Sequence, residues 1–452
     1  MTQAEALAVL KTGANVFLTG EPGSGKTHTV NQYVSYLRDE GVPVAITAST
    51  GIAATHLGGQ TIHSWSGLGV REELSDYDLD RISQNERTVK RVRRARVLLI
   101  DEISMLSAQT LDLIEILCRQ LRGNREPFGG LQVVLVGDFF QLPPVNRRVE
   151  RVTAANLFDE GGQERGGDQF AYHAATWQAL KLLTCYLNEQ HRHEDETFLQ
   201  LLTALRHGEF GEQHRDELAK RLIKSSKTKS GLTQLFAHNA DVDRINDEAL
   251  GELPGAHRLF VMRSHGAPPL IEGLKRNCLS PEKLVLKVGA KVMFTKNSVE
   301  GRYVNGTTGE VSAFDRTSGW PVVRTREGRL VTAEPTEWPV ESEGKVLASV
   351  VQVPLRLAWA ITVHKSQGMS LDAAVMDLSK CFEYGQGYVA LSRVRTLKGL
   401  QLLGLNERAL EVHPQVAKQD AAFRTHSEQV RAHFAGLDPA RLKTLHRNFV
   451  GN

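Results

Sequence analysis

Cysteine is scarce and scattered. The four in 452 residues, Cys118, Cys185, Cys278 and Cys381, form no C-x-x-C pair. That argues against a disulfide scaffold or structural zinc and for a reducing compartment. No apolar run approaches the roughly 20 residues that span a bilayer, and the N-terminus has no basic-then-apolar leader, so a cytoplasmic chain without a membrane partner is expected. A strong charge imbalance is missing too. The net charge of +3 permits a nucleic-acid partner without arguing for one. There is no low-complexity tail, and no repeat beyond an alternation of strand-like and helix-like segments. The rest is ordinary globular composition, 41% apolar and 24% charged, in a chain long enough for roughly two to four domains.

Short apolar runs alternate with amphipathic stretches of helix length. Val16–Thr19, Val44–Ala48, Val97–Ile100, Leu131–Val136 and Leu182–Leu187 read as buried strands joined by helical crossovers, hence a largely parallel sheet. The alternation returns at Leu235–Ala237, Leu355–Ile361, Ala373–Leu378 and Leu400–Leu405, which predicts a second α/β layer. Between them, about Gly251 to Gln352, Gly, Pro and short alternating runs such as Lys291–Phe294, Glu310–Phe314 and Arg329–Thr332 predict a small antiparallel β insertion. A charged insertion spans about Gly67 to Arg96, and Gly161–Asp168 reads as a mobile loop.

The chemistry starts at Gly20-Glu21-Pro22-Gly23-Ser24-Gly25-Lys26-Thr27, set between Val16-Phe17-Leu18 and a helix-compatible stretch from His28 to Arg38. Strand, glycine-rich loop and helix together form a phosphate-binding loop. Its glycines, Gly20, Gly23 and Gly25, let backbone N–H groups surround phosphate oxygens at the positive end of a helix. Lys26 suits the β- and γ-phosphates of a nucleoside triphosphate, and the Thr27 hydroxyl suits magnesium. Leu98-Leu99-Ile100-Asp101-Glu102 then ends an apolar strand in two carboxylates. At the carboxyl edge of a parallel sheet, Asp101 would face the loop and hold magnesium while Glu102 polarises water. Val134-Leu135-Val136-Gly137-Asp138-Phe139-Phe140-Gln141-Leu142-Pro143-Pro144 repeats the pattern, and Gln141 suits sensing the γ-phosphate or positioning water. At least one of Phe139 and Phe140 is expected in the core.

With these segments on the page, the chain resembles the Pif-type (petite-integration-frequency) DNA helicases of superfamily one, related to RecD. The phosphate loop resembles that family's first motif, Asp101-Glu102-Ile103-Ser104-Met105 its second and Gly137–Pro144 its third. Pro127-Phe128-Gly129-Gly130-Leu131-Gln132 resembles the end of the family's own signature. Thr47–Ala54 and Thr61-Ile62-His63-Ser64 resemble the segment that holds single-stranded DNA. Asn188-Glu189-Gln190-His191-Arg192, Val363-His364-Lys365-Ser366-Gln367-Gly368 and Tyr388-Val389-Ala390-Leu391-Ser392-Arg393 are similar to the fourth, fifth and sixth motifs. His191 departs from the family's aromatic residue there.

The resemblance implies an α/β fold of two RecA-like cores. The first would cover residues 1–66 and 97–186, with a wedge insertion at 67–96. The second would cover 187–250 and 353–420, with a small β-barrel at 251–352 and a helical segment at 421–452. It implies catalytic roles for Lys26, Glu102, Gln141, Arg192 and Arg393, the two arginines acting on the γ-phosphate. Nucleotide contacts would include Gln3 at adenine, the loop through Ser24, Lys26, Thr27 and His28, and Gly368. Magnesium would sit on Thr27 and Asp101. DNA contacts would fall to Thr50, His63, Phe139, Pro143, His364 and Ser366. The implied activity is ATP-driven 5′-to-3′ movement on single-stranded DNA by a monomeric motor, on the nucleoid in a bacterial cell. Its partners would be tailed or forked duplexes, with G-quadruplexes and RNA–DNA hybrids left open. The basic run Arg87–Arg96 is open between a DNA-facing wedge and a solvated helix face.

Rival readings are a non-enzymatic ATP-switched clamp, an RNA-directed relative and a small-molecule kinase. Glu102, Gln141 and Arg393 disfavour the clamp, Pro127–Gln132 disfavours the RNA branch, and the second core disfavours the kinase.

Overall fold

The computed structural model describes residues 1–69, 71–144, 170–189, 195–223, 232–237, 239–298, 300, 302–303, 305–325, 328–342, 345–367 and 369–451. Two units emerge. One comprises Met1–Thr50, Gly59–His191 and His413–Asn452; the other comprises Gly51–Gly58 and Arg192–Val412.

The first unit is built on six strands: β1 (Val16–Gly20), β2 (Val44–Ala48), β3 (Gln60–Thr61), β4 (Val97–Asp101), β5 (Gln132–Val136) and β6 (Leu183–Leu187). Their order is β3-β2-β4-β5-β1-β6, and every neighbouring pair is parallel. β1 and β5 are buried along their whole length, as strands covered on both faces must be. That is why Val16-Phe17-Leu18 and Val133–Val136 read as unbroken apolar runs. The helices before and between the strands are α1 (Gln3–Leu10), α2 (Lys26–Asp39), α3 (Gly51–His56, grouped with the second unit), α4 (Ile62–Ser66), α5 (Asp76–Ser83), α6 (Glu86–Arg94), α7 (Ala108–Arg122) and α8 (Ala175–Ala179). The expected wedge insertion is thus a helix pair, α5 and α6, packed on α7. The expected loop at Gly161–Asp168 lies outside the described residues.

The second unit begins with α9 (Glu196–His207) and α10 (Glu212–Ala219), followed by β7 (Thr233–Phe236) and α11 (Asn239–Glu252). The insertion then runs through β8 (Arg258–Val261), β9 (Arg263–Gly266), α12 (Pro268–Asn277), β10 (Lys283–Leu286), β11 (Lys291–Phe294), β12 (Thr308–Phe314), β13 (Pro321–Thr325), β14 (Leu330–Thr332), β15 (Thr336–Ser342), β16 (Lys345–Gln352) and β17 (Leu355–Leu357). The α/β layer resumes with β18 (Ala360–Thr362), β19 (Ala374–Leu378), α13 (Gln386–Leu391) and β20 (Leu400–Leu405), giving a parallel sheet in the order β18-β7-β19-β20.

The insertion has two parts. A five-stranded antiparallel sheet, β14-β13-β12-β11-β17, closes over Leu286, Val292, Phe294, Val311, Val323 and Leu355 with the β8–β10 ribbon. A separate three-stranded sheet of β15, β16 and β9 carries α12 on a small core of Met262, Trp338 and Val350. The sequence reading expected only the β part. It missed α12, whose opening prolines suit a helix start but sit in a stretch that otherwise reads as turns.

Two further expectations are corrected. Leu355–Ile361 is not one strand. Leu355–Leu357 pairs antiparallel with β11, whereas Ala360–Thr362 pairs parallel with β7. Asn246 fixes the switch by bonding both backbone groups of Ala360, at 2.9 and 3.1 Å. The C-terminal helices also start earlier than residue 421, as α14 (Pro414–Ala435) and α15 (Pro439–Gly451), and both belong to the first unit. α14 covers the edge strand β6: Ser427 accepts the Tyr186 N–H at 2.9 Å, and His426 meets the Thr184 hydroxyl at 3.1 Å. Among the described residues, no helix is long and apolar enough to cross a membrane.

Phe423 of α14 locks this return in place. Its ring centre lies 4.9 Å from Phe17 and 6.1 Å from Phe139, Tyr172 and Trp177. Phe423→Ala is therefore expected to cost roughly 3–5 kcal/mol of stability, as large buried aromatic truncations do. Urea unfolding of the full chain checks this, and a loss below about 1 kcal/mol would show that α14 only rests on the sheet.

Candidate active site

Sheet order decides which segments meet. β5 lies between β1 and β4, so the loop after β1, the Asp101-Glu102 pair after β4 and the Gly137–Pro144 loop after β5 share one carboxyl edge. That edge is where parallel α/β sheets bind ligands.

The phosphate loop is held open by its glycines and by Lys26. Gly25, at φ +88°, is the N-cap of α2 and makes no side-chain cap bond, so the first N–H groups of the helix are left to the loop. A Cβ there would stand 2.0 Å from Gln3 Nε2. Lys26 Nζ donates to the carbonyls of Gly20 at 2.7 Å and Glu21 at 3.1 Å. The hydroxyl of Ser24 is buried without a partner. Thr27 and His28 are exposed at the start of α2. Gln3 lies against the loop, donating from Nε2 to the Ser24 carbonyl at 3.2 Å, while its backbone N–H donates to Glu189 at 2.7 Å.

Glu102 occupies the left-handed region, φ 52° and ψ 47°, a conformation that costs a non-glycine residue about 1–2 kcal/mol. Two bonds hold it there. Its N–H donates to Asp101 Oδ1 at 2.9 Å, and Ser49 donates its hydroxyl to the Glu102 carbonyl at 2.7 Å. Burial pushes the Asp101 carboxyl up to about 6, against the opposing pull of the Glu102 N–H and the Lys26 charge. A half-buried carboxylate on this edge suits a hard cation, as does the Thr27 hydroxyl at the start of α2. No group of three or more His, Cys, Asp or Glu that could hold a metal unaided occurs among the described residues. A magnesium that takes most of its ligands from phosphate and water needs none.

After β5, Gln141 is buried at 7% exposure in a turn closed by its N–H on the Asp138 carbonyl at 3.0 Å. Pro143 is half-buried beyond it. Phe139 and Phe140 are both buried, which corrects Phe139 as a DNA contact. Its ring packs 5.6 Å from Phe17 and 4.8 Å from Tyr172, in the core beneath the loop.

Among the other strand-binding candidates of the first unit, Thr50 follows β2 and His63 lies on α4, both half-buried. In the second unit, His364 Nε2 lies 3.7 Å from Glu383 Oε2. Ser366 is fully buried and donates its hydroxyl to the Val363 carbonyl at 2.7 Å. That bond closes the turn after β18 and removes Ser366 as a direct phosphate ligand in this conformation. Arg393, 1% exposed, donates from Nε to the Val389 carbonyl at 2.8 Å and from Nη2 to Ser392 Oγ at 2.7 Å. Arg192 and Gly368 lie outside the described residues.

The basic run resolves into helix caps. Arg91 donates to the carbonyls of Trp65 at 2.7 Å and Ser64 at 2.5 Å, in the last turn of α4. Arg93 donates to Leu121 at the end of α7. Arg122 returns the favour, donating to the carbonyls of Val92, Arg93 and Ala95 around the end of α6. Arg96 reaches the carbonyls of Phe449 and Val450 on α15. Only Arg87, Lys90, Arg93 and Arg94 are exposed. Sequence reasoning missed these pairings, and it missed Ser49 and Glu189 at the site, because sheet order alone brings them to their partners.

A family model described as PIF1-like helicase matches residues 2–216. The chain is 41% identical to the ATP-dependent DNA helicase Pif1 of Psychrobacter sp., over 100% of this chain and 75% of the relative. It is 38% identical to the protein of that name from Bdellovibrio bacteriovorus, over 92% and 90%. Among solved structures it is similar to Bacteroides sp. Pif1 in complex with ADP-AlF4, at 29% identity and a TM-score of 0.77, covering 94% and 96% of the two chains. It is also similar to Bacteroides Pif1 bound to ADP-AlF3 and single-stranded DNA, at 30% identity, TM-score 0.62 and coverage of 94% and 96%. A structure described as the structural basis for DNA unwinding at forked duplex DNA by two coordinating Pif1 helicases matches at 29% identity, TM-score 0.61 and the same coverage.

The capping role separates Arg91 from its neighbours. Arg91→Ala is expected to lower stability by about 1–2 kcal/mol, since it removes a charged donor from the partly buried Trp65 carbonyl. Lys90→Ala is expected to change it by less than about 0.5 kcal/mol, because the Lys90–Glu86 pair is solvent-exposed. Equal effects in urea unfolding would contradict the assignment.

Proposed function

The chain belongs to the PIF1-like helicase family, as an ATP-dependent DNA helicase, and we propose that it moves 5′ to 3′ along single-stranded DNA using the residues gathered at the first sheet edge. One observation carries the reading. The phosphate loop, Asp101-Glu102 and Gln141 leave neighbouring parallel strands at the same edge, where ATP hydrolysis needs a phosphate cradle, a magnesium ligand and a water-directing group together.

The roles follow from the chemistry. The loop amides and Lys26 hold the β- and γ-phosphates, and Gln3 reads the adenine edge beside Ser24. Thr27 and Asp101 would hold magnesium, which when bound would neutralise charge on the phosphates. Glu102 takes the proton of the attacking water, and Gln141 orients that water against the γ-phosphate. Arg393, once released from Val389 and Ser392, and Arg192 supply positive charge as the γ-phosphoryl group leaves, a contribution of about 10³–10⁵ in rate in related NTPases.

On the DNA side, Thr50, His63, Pro143 and His364 remain as the strand contacts. They suit phosphate and stacking interactions that carry little sequence information. The substrate class is single-stranded DNA with a duplex or fork ahead, by analogy with a relative crystallised with single-stranded DNA and with relatives described as unwinding DNA at forked duplexes. G-quadruplexes and RNA–DNA hybrids use the same tracked strand and stay within this reading. The monomer is the unit of translocation, and its place of action is the cytoplasm.

A duplex with a 5′ single-stranded tail is therefore expected to be unwound, and one with only a 3′ tail is not. Binding should weaken with salt by a logarithmic slope of about 0.7 per phosphate contacted. Strand-displacement assays on both tailed substrates decide the polarity. Unwinding confined to the 3′-tailed duplex would reverse it, and ATP turnover stimulated only by RNA would replace the substrate.

A further inference from the structure

α14 brings a cation to the phosphate loop. Arg424 Nη2 lies 3.6 Å from Glu21 Oε1, and its Nε donates to Asp420 Oδ2 at 2.8 Å. The guanidinium stacks 4.3 Å from the centre of the Tyr186 ring. Tyr186 is the β6 partner of Thr19, the residue before the loop's first glycine, and its hydroxyl donates to Asp420 at 3.4 Å. Arg424 is thus fixed by groups of the helix and of β6 and presents its remaining edge to Glu21. The two contacts differ in strength: the bond to Asp420 is short and well shielded, the pair with Glu21 longer and more exposed.

Two cations meet Glu21, whose carbonyl also accepts the Ser24 N–H at 3.1 Å. Its carbonyl accepts from Lys26, and its carboxylate faces Arg424. An arriving triphosphate competes for Lys26, because the ammonium is the charge that meets the β- and γ-phosphates. Once Lys26 leaves the carbonyls of Gly20 and Glu21, the start of the loop loses that cation. Glu21 then also sits as an anion on a loop that must accept a more highly charged anion. Arg424 answers both problems, since its own anchors, Asp420 and Tyr186, are independent of nucleotide. A planar guanidinium with five donors can bind both carboxylates at once.

We propose that Arg424 is a positioning residue of the nucleotide site. By holding and neutralising Glu21, it makes α14 a built-in support of the phosphate loop. The inference rests on the reading that this loop binds ATP.

The test is a double-mutant cycle on the full chain without DNA, with nucleotide affinity read by titration of a fluorescent ATP analogue. Arg424→Gln should weaken binding about three- to tenfold, the range of a partly exposed ion pair beside a ligand. It should raise KM for ATP while kcat at saturating ATP stays within about twofold. Glu21→Gln combined with Arg424→Gln should bind within about twofold of Glu21→Gln alone, because the charge to be neutralised is gone. If Arg424→Gln lowers the melting temperature, Arg424→Lys carries the test. It keeps the charge but not the planar fork and should recover part of the affinity lost in Arg424→Gln, whereas a loss equal to that of Arg424→Gln would overturn the proposal. So would an unchanged affinity in Arg424→Gln, or a double variant as weak as Arg424→Gln. Lys26→Ala keeps the premise separate. If it binds nucleotide like wild type, the ATP-site reading itself falls, whereas its loss beside an unaffected Arg424→Gln removes only the role of α14.

Discussion

The burial of β1 between two parallel neighbours is the constraint on which the rest depends. Val16, Phe17 and Leu18 are fully buried, and the strand pairs with β5 on one side and β6 on the other. That pairing fixes where the phosphate loop leaves the sheet. Through β5 it sets the loop beside Asp101 and Glu102, and through β6 beside Tyr186. The Phe17 ring extends the same constraint across the layer, packing against Phe139, Trp177 and Phe423. The strand that leads into the glycine loop is therefore packed on both edges and across the layer. Glu102 is held at a left-handed backbone angle by Asp101 of β4 and by Ser49, the residue after β2, which suits the pre-organised carboxylate that the proposed function requires.

Much of this was legible because buried parallel strands leave a strong signature. Runs such as Val97–Ile100 and Val133–Val136 carry no polar interruption, so their ends, and the carboxylates and glycines placed there, can be read directly from sequence. What was not legible depends on partners far along the chain. Leu355–Ile361 is one apolar run, yet its halves serve different sheets, a choice made by β11, β7 and Asn246. The return of α14 to β6 rests on Ser427 and His426, ordinary residues in an ordinary helix.

The same limit explains the errors over DNA contacts. Motif membership identifies segments but not the direction of each side chain within them. Phe139 and Ser366 lie in segments read as strand-facing, and the fold turns both inward, one into an aromatic cluster and the other onto Val363. The basic run misled in a related way. Arginines at helix ends are drawn to orphan carbonyls, and Arg91, Arg93 and Arg122 cap neighbouring helices with charge that composition alone assigns to solvent or DNA. The exposed remainder, Arg87, Lys90 and Arg94, is too small a patch to define a wedge by charge.

The central claim is that one sheet edge separates holding ATP from cleaving it, with Lys26 on the first task and Glu102 on the second. Glu102→Gln keeps size and hydrogen bonding but removes the base. Steady-state hydrolysis measured beside fluorescent-nucleotide and single-stranded DNA titrations tests the separation most directly. The account predicts a fall in DNA-stimulated turnover of about 10²–10⁴-fold, with both affinities within about twofold of wild type. Unchanged turnover, or nucleotide affinity lost in step with turnover, would contradict it.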